Sequence, residues 1–160
     1  MNRIAIIDDS DINLTLLKHL VNKLGGCESY LFSESLKGLA WCIDNEPDLV
    51  IVDYMMPELD GIGFIQRFRA APGRADTPVL MITANDDKEV RYEALQSGAT
   101  DFLTKPVDTV EFRARASNML MLRASQRRMA DRNQELAEEV RKATEAIRAR
   151  EQELLFRMSR

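Results

Sequence analysis

Short apolar runs and amphipathic stretches alternate along the first two thirds of the chain. Ile4 to Ile7 leads into polar Asp8-Asp9-Ser10-Asp11, after which Leu16, Leu17, Leu20, Val21 and Leu24 recur at helical spacing until Gly25-Gly26. Tyr30 to Phe32 reads as a short strand, and Leu36, Leu39, Ala40 and Ile43 mark a second helix ending before Pro47. Leu49 to Asp53 is a continuous apolar run, as expected of a strand buried on both faces. A turn with Pro57 and Gly61 leads to a third helix near Ile62 to Phe68, which the Ala70 to Asp76 loop, with Pro72 and Gly73, breaks. Val79 to Thr83, a helix from about Asp86 to Ser97, Gly98 and Thr100 to Leu103 complete the series. Five strands alternating with helices predict a parallel sheet covered on both faces, a doubly wound α/β domain with right-handed crossovers.

The last third follows a different pattern. From Thr109 to about Arg157 there is no Pro or Gly and good helix formers dominate, which predicts one long helix. Steps of three and four pick out Met119, Leu122, Gln126, Met129, Asn133, Leu136, Val140, Ala143, Ile147, Arg150 and Leu154, of which eight are apolar. Such a stripe on a helix extending past a globular domain needs a partner helix, and a parallel homodimer through residues 119–157 is expected. Asn133 at a seam position either selects register and two-strandedness or marks a weak point; the residues leave both open. The chain closes on the apolar cluster Leu154-Leu155-Phe156 and Met158, which suggests a cut before another domain.

Composition adds bounds to this picture. With 160 residues, 45% of them hydrophobic, the chain can bury one ordinary core with length left over. The two parts expected are residues 1–122, a globular domain, and residues 123–160, a helical connector. Charge divides similarly, with 10 Lys+Arg against 17 Asp+Glu up to residue 106 and 12 against 9 beyond it. The basic excess of the tail is small and interleaved with Glu, so Arg127-Arg128 reads as solvated surface and no nucleic-acid partner is expected. Apolar runs of four or five residues fall far short of the roughly 20 a membrane helix needs, and no signal peptide opens the chain, so a cytoplasmic protein is expected. Cys27 and Cys42 lack metal-ligand or disulfide spacing and read as reduced, partly buried thiols, while His19, the only histidine, cannot build a multi-histidine metal centre.

The candidate chemistry sits at the strand ends. The four runs finish in Asp8-Asp9, in Asp53, in Thr83 and in Thr104-Lys105-Pro106. In an open parallel sheet these groups reach one edge, where ligands bind. Three close carboxylates repel one another and raise at least one pKa unless a cation neutralises them. The set therefore points to a hard cation and a phosphate-like ligand. Taken singly, each residue has an ordinary reading: Asp8-Asp9 as a helix cap with a solvated neighbour, Thr83 as a cap, Lys105 as surface.

The segment Asp53-Tyr54-Met55-Met56-Pro57-Glu58-Leu59-Asp60-Gly61, with Asp8-Asp9 upstream and Thr83-Ala84 and Lys105-Pro106 downstream, resembles the receiver domain of two-component response regulators over residues 1 to about 122. The resemblance implies a flavodoxin-like fold of strand order 2-1-3-4-5 and phosphorylation of Asp53 by a histidine kinase or phosphotransfer protein. It implies Mg2+, or Mn2+ in its place, on Asp8, Asp9, Asp53 and the backbone carbonyl of Met55. It also implies a cis Lys105-Pro106 bond and a switch in which Thr83 moves toward the phosphoryl group and Phe102 turns inward, altering the face formed by the fourth helix, fifth strand and fifth helix. Chemistry agrees with these roles. Asp53 is a competent carboxylate nucleophile, Lys105 a compact cation for one phosphoryl oxygen and Thr83 a hydroxyl donor for another. Ala84 leaves room for the group, and Met55 and Asn85 flank the path of an attacking water. Phe102, where tyrosine is commoner, makes the switch a packing event without a hydroxyl.

The Glu151–Arg160 segment is similar to connectors preceding HD-GYP-type cyclic-di-GMP phosphodiesterase domains, so an output enzyme is expected outside this chain, which itself performs only its own phosphorylation and dephosphorylation. Two rival readings stand beside the receiver. One is an aspartate-nucleophile phosphatase built on Asp9-Ser10-Asp11, against which Asn13 stands where that family has Thr or Val. The other is a constitutive dimerisation module with a vestigial acid pocket.

Overall fold

The computed structural model describes residues 1–84 and 88–159. Its elements alternate as β1 (Asn2–Ile7), α1 (Asp11–Asn22), β2 (Cys27–Phe32), α2 (Ser35–Asn45), β3 (Leu49–Asp53), α3 (Gly61–Ala70), β4 (Val79–Thr83), α4 (Lys88–Ser97), β5 (Asp101–Thr104) and α5 (Thr109–Met158). The strands form one parallel sheet in the order β2-β1-β3-β4-β5, the flavodoxin-like arrangement expected from the sequence.

Alternation along each strand divides the core into two layers. Ala5, Ile7, Val50, Val52, Val79 and Met81 face one side and pack with Leu39 and Cys42 of α2, Phe64 and Phe68 of α3 and Ala94 of α4. Ile4, Ile6, Leu49, Ile51, Leu80, Ile82 and Leu103 face the other and pack with Leu14, Leu17, Leu20 and Val21 of α1 and Phe112, Ala116 and Met119 of α5. Burial on both faces is why β3 and β4 carry no polar residue before their last position.

Two helices bury part of the apolar set expected from spacing and turn the rest outward. In α1 the buried residues are Leu14, Leu17, Leu20 and Val21, while Leu16 is 46% exposed. In α2 they are Ser35, Gly38, Leu39 and Cys42, with Leu36 and Ala40 outside. The reason lies in Gly38. A Cβ there would sit 2.7 Å from Ile7 Cγ1, so this helix meets the sheet through its glycine rather than through a leucine ridge. Strand ends also differ slightly, since β2 begins at Cys27 rather than Tyr30 and β5 occupies Asp101–Thr104.

Residues divide into two compact units, Met1–Arg123 and Ala124–Arg160. In the second, every described residue from Arg127 onward is exposed, including Met129, Leu136, Val140, Ile147 and Leu154. Intrahelical pairs such as Arg141 with Glu138 and with Glu145 decorate this helix, each a modest contribution at such exposure. Among the described residues no helix is long and apolar enough to cross a membrane. Cys42 is fully buried, which pushes its thiol up to about 12 against the lowering effect of Arg74, and leaves it inert.

Candidate functional site

The site is assembled where β1, β3, β4 and β5 end. Asp8 follows β1 and donates its backbone N–H to the Phe32 carbonyl at 3.1 Å, while its Oδ1 accepts from the Ser10 N–H at 2.9 Å. Ser10 caps α1 by accepting from the Asn13 N–H, so the helix starts immediately beyond the acid pair. Asp53 is the last residue of β3. The chain leaves it through Tyr54, whose N–H reaches the Ile82 carbonyl at 2.9 Å, and Gly61 N–H returns to the Tyr54 carbonyl at 2.8 Å. Gly61 is required by this closeness: a Cβ there would lie 2.6 Å from the Asp53 carbonyl oxygen. Lys105 N–H donates to the Thr83 carbonyl at 2.8 Å, which fastens the end of β5 to the end of β4, and the Lys105–Pro106 bond is cis.

Asp8, Asp9 and Asp53 each offer a carboxylate oxygen, all within 4.8 Å of one another. Asp8 and Asp53 are 1% and 6% exposed, whereas Asp9 faces solvent. Lys105 Nζ lies 2.8 Å from Asp53 Oδ1 and 3.7 Å from Asp8 Oδ2. Burial raises the Asp53 carboxyl above its ordinary value; the Lys105 hydrogen bond opposes this and the charges of Asp8 and Asp9 add to it. For Lys105 burial works downward, yet the hydrogen bond to Asp53 and the charges of Asp53, Asp8 and Asp9 leave its pKa raised, so it remains an ammonium. Among the described residues one cation thus faces three acids. Asp8 Oδ2 is buried without a hydrogen-bond partner among the described residues, an acceptor with spare capacity pointing into an electronegative pocket. This donor set fits a hard divalent cation.

Thr83 closes β4 and is 2% exposed. Ala84 next to it is exposed, as is Met55, at 68%. Phe102 on β5 is half-buried against the α2–α3–α4 layer, with the Arg91 guanidinium 5.4 Å from its ring centre. Asn85 lies outside the described residues. A crevice of about 200 Å³ opens beside the acids, lined by Asp8, Asn13, Leu16, Leu17, Ile82, Lys105, Pro106 and Val107. Asp11 stands in the first turn of α1 and is not one of the clustered acids, so nothing supports the phosphatase pairing of Asp9 with Asp11. Asn13, which lines the crevice, and Gly61 are contributors that strand-end reading passes over; the glycine was signalled by the Pro57 to Gly61 turn and as the last residue of the segment that carries the receiver resemblance.

Residues 4–117 match the response regulator receiver domain. The chain belongs to that family. The chain is 35% identical over 158 residues to the cyclic di-GMP phosphodiesterase response regulator RpfG of Xanthomonas campestris pv. campestris, a match covering 98% of this chain and 42% of that protein. It is similar to the receiver domain of Francisella response regulator 1452, with a TM-score of 0.69 at 27% identity over 76% of this chain and 98% of the other. It also shares the fold of the receiver domain of the Pseudomonas aeruginosa sensor histidine kinase PA1611, whose structure has a magnesium ion in the active site cleft, with a TM-score of 0.69 at 24% identity over 74% of this chain and 97% of that one. The chain spans less than half the length of RpfG. Receiver domains bind Mg2+ at an acidic pocket and are phosphorylated by histidine kinases or phosphotransfer proteins.

Proposed function

We propose that this receiver domain accepts a phosphoryl group on Asp53 and passes its state through α5 to an output domain. The observation that carries the reading is one lysine 2.8 Å from a buried aspartate that shares a 4.8 Å cluster with two further carboxylates, at the carboxyl edge of a parallel sheet. Asp53 attacks phosphorus of a phosphohistidine; the new O–P bond forms as the N–P bond breaks, and the departing imidazole takes up a proton from solvent. Lys105 holds one phosphoryl oxygen and Thr83 donates to another. Asp8, Asp9, Asp53 and the Met55 carbonyl would hold Mg2+ or Mn2+. When bound, that ion offsets the negative charge of the acids and of the transferring group. The partner is a histidine kinase or a phosphotransfer protein, met at the crevice beside Asn13 and Leu16.

On this reading Thr83 follows the phosphoryl group and Phe102 repacks against α4, while Met55 and Asn85 set how long the acyl phosphate lasts. Met119, expected at the seam, is instead buried against the sheet, so the exposed stripe from Met129 onward is what pairs with a second copy in parallel register, with Val140 and Ile147 at one seam position and Leu136 at the other, as two-stranded coils favour. Residues 1–122 then form the receiver and residues 123–160 the connector of a cytoplasmic protein whose output is an enzyme of the cyclic-di-GMP phosphodiesterase type. Incubation with acetyl phosphate and Mg2+ tests the central step. A stoichiometric adduct of one phosphoryl group, absent in Asp53→Asn, is expected; sustained turnover of para-nitrophenyl phosphate, or an adduct that survives Asp53→Asn, overturns it. A tail that stays monomeric in sedimentation at tens of micromolar overturns the dimer.

A further inference from the structure

The opposite edge of the sheet carries a second buried ionic arrangement. Asp48, the residue before β3, is 2% exposed. Its Oδ2 accepts from the Arg3 N–H at 2.7 Å and its own N–H donates to the Arg3 carbonyl at 2.8 Å, so β1 fixes where the carboxylate points. The Arg123 Nε lies 3.9 Å from Asp48 Oδ1, with the Arg123 side chain only 15% exposed.

Position explains why this pair is unusual. Phe112, Ala116 and Met119 form the buried stripe of α5. Steps of four, three and four along a helix keep one face, so Arg123 is the next residue of that stripe. A charge stands where packing alone would place a Leu. It is also the last residue of the compact unit, while helix α5 continues unbroken to Met158. Buried ion pairs are poor sources of stability compared with apolar side chains of similar size, but they fix one geometry because each charge needs its partner. A leucine at 123 could slide or rotate at little cost, whereas a guanidinium that must reach one oriented carboxylate cannot.

We propose that Asp48 and Arg123 form an anchor that sets the rotation and axial position of α5 at the end of the receiver unit. Asp48 is also joined to Asp53 by β3, which is buried along its whole length. The strand carrying the phospho-acceptor at one end therefore holds the last residue of the receiver unit, Arg123, at the other. This last link rests on the proposed phosphorylation of Asp53; the anchor itself does not.

Amide hydrogen exchange on the full 160-residue chain tests the anchor, with Asp48→Asn, Arg123→Gln, the double variant and Arg123→Lys. Each of the first two is expected to speed exchange at residues 116–126 at least tenfold while amides of Ile4 to Ile7 and Leu49 to Val52 change less than threefold. The double variant is expected to match the faster single, and Arg123→Lys to stay within threefold of the parent. Unchanged exchange at 116–126, multiplicative effects in the double variant, or an equal rise in the sheet amides overturns the anchor. If Asp48→Asn unfolds the domain, the two Arg123 variants decide alone. Beryllofluoride adduct formation with Mg2+, followed by fluorine NMR, is expected to be unchanged in Arg123→Gln, so failure of the phospho-acceptor reading shows separately.

Discussion

Replacing Asp53 by Asn is expected to make the metal-free protein more stable, although it removes the nucleophile and half of an ion pair. Asp53 is 6% exposed, with Asp8 and Asp9 oxygens within 4.8 Å and Lys105 Nζ at 2.8 Å. At an effective dielectric of about 20, an acid oxygen no more than 4.8 Å away opposes the Asp53 charge by at least roughly 3.5 kcal/mol and Lys105 returns roughly 6 kcal/mol. These nearly cancel, and the solvated Asp9 counts for less. The desolvation of a buried carboxylate, several kcal/mol after relaxation, then decides the sign. The asparagine keeps the acceptor oxygen without that cost, so a gain of about 1–2 kcal/mol is expected at pH 7 in EDTA. The pH dependence follows from the raised carboxyl. Its folded pKa lies above the ordinary 3.8, so between the two values the folded state binds more protons than the unfolded state. Wild-type stability therefore falls as pH rises from about 3.8 through the folded pKa. The gap between the proteins opens across that window and closes below it. Mg2+ at about 100 times its Kd adds roughly 2.7 kcal/mol to wild type, and less to Asp53→Asn, which has lost one of the clustered carboxylates. Urea unfolding at several pH values, with EDTA or Mg2+, measures all of this. A less stable Asp53→Asn at pH 7 in EDTA, or an equal gap at pH 3 and pH 7, refutes the electrostatic account.

Gly61→Ala forces a Cβ to within 2.6 Å of the Asp53 carbonyl oxygen; a loss of about 1–3 kcal/mol in urea unfolding and slower adduct formation at Asp53 are expected. Glu58 has φ of 68° and an exposed side chain, so Glu58→Asn relieves left-handed strain and is expected to raise stability by up to about 1 kcal/mol, read as a higher Tm. Phe112→Ala empties a side chain that is 1% exposed between α5 and the sheet, with an expected cost of about 3–5 kcal/mol, a large part of the 5–15 kcal/mol typical of a domain. Asn133→Val is expected to tighten self-association of the tail in sedimentation equilibrium if position 133 lies at a seam; unchanged association places it on a solvated face.

Much of the architecture was legible in the residues because burial on both faces of a parallel strand demands an uninterrupted apolar run. Leu49 to Val52 and Val79 to Ile82 can be little else, and the polar groups that end such runs fall at one sheet edge by topology. Asp8, Asp9, Asp53, Thr83 and Lys105 could therefore be named as a group before their distances were known, and the long helix announced itself through its missing Pro and Gly. What a linear pattern could not supply was helix rotation. Leu16, Leu36 and Ala40 satisfy helical spacing yet are exposed, because a helix's inner face is chosen by the contour of the sheet beneath it: Gly38 admits Ile7, and in α1 Leu14 rather than Leu16 is buried. The same limit applies to Arg123, which as a sequence letter is one of several basic residues in a charged tail. Only the fold brings it to a carboxylate 75 positions earlier. Periodicity and strand-end chemistry are local properties that a chain carries with it. Which faces meet, how far the Asp53 carboxyl is desolvated, and which charges share a buried space depend on contacts between residues distant in sequence, and those exist only once the chain has folded.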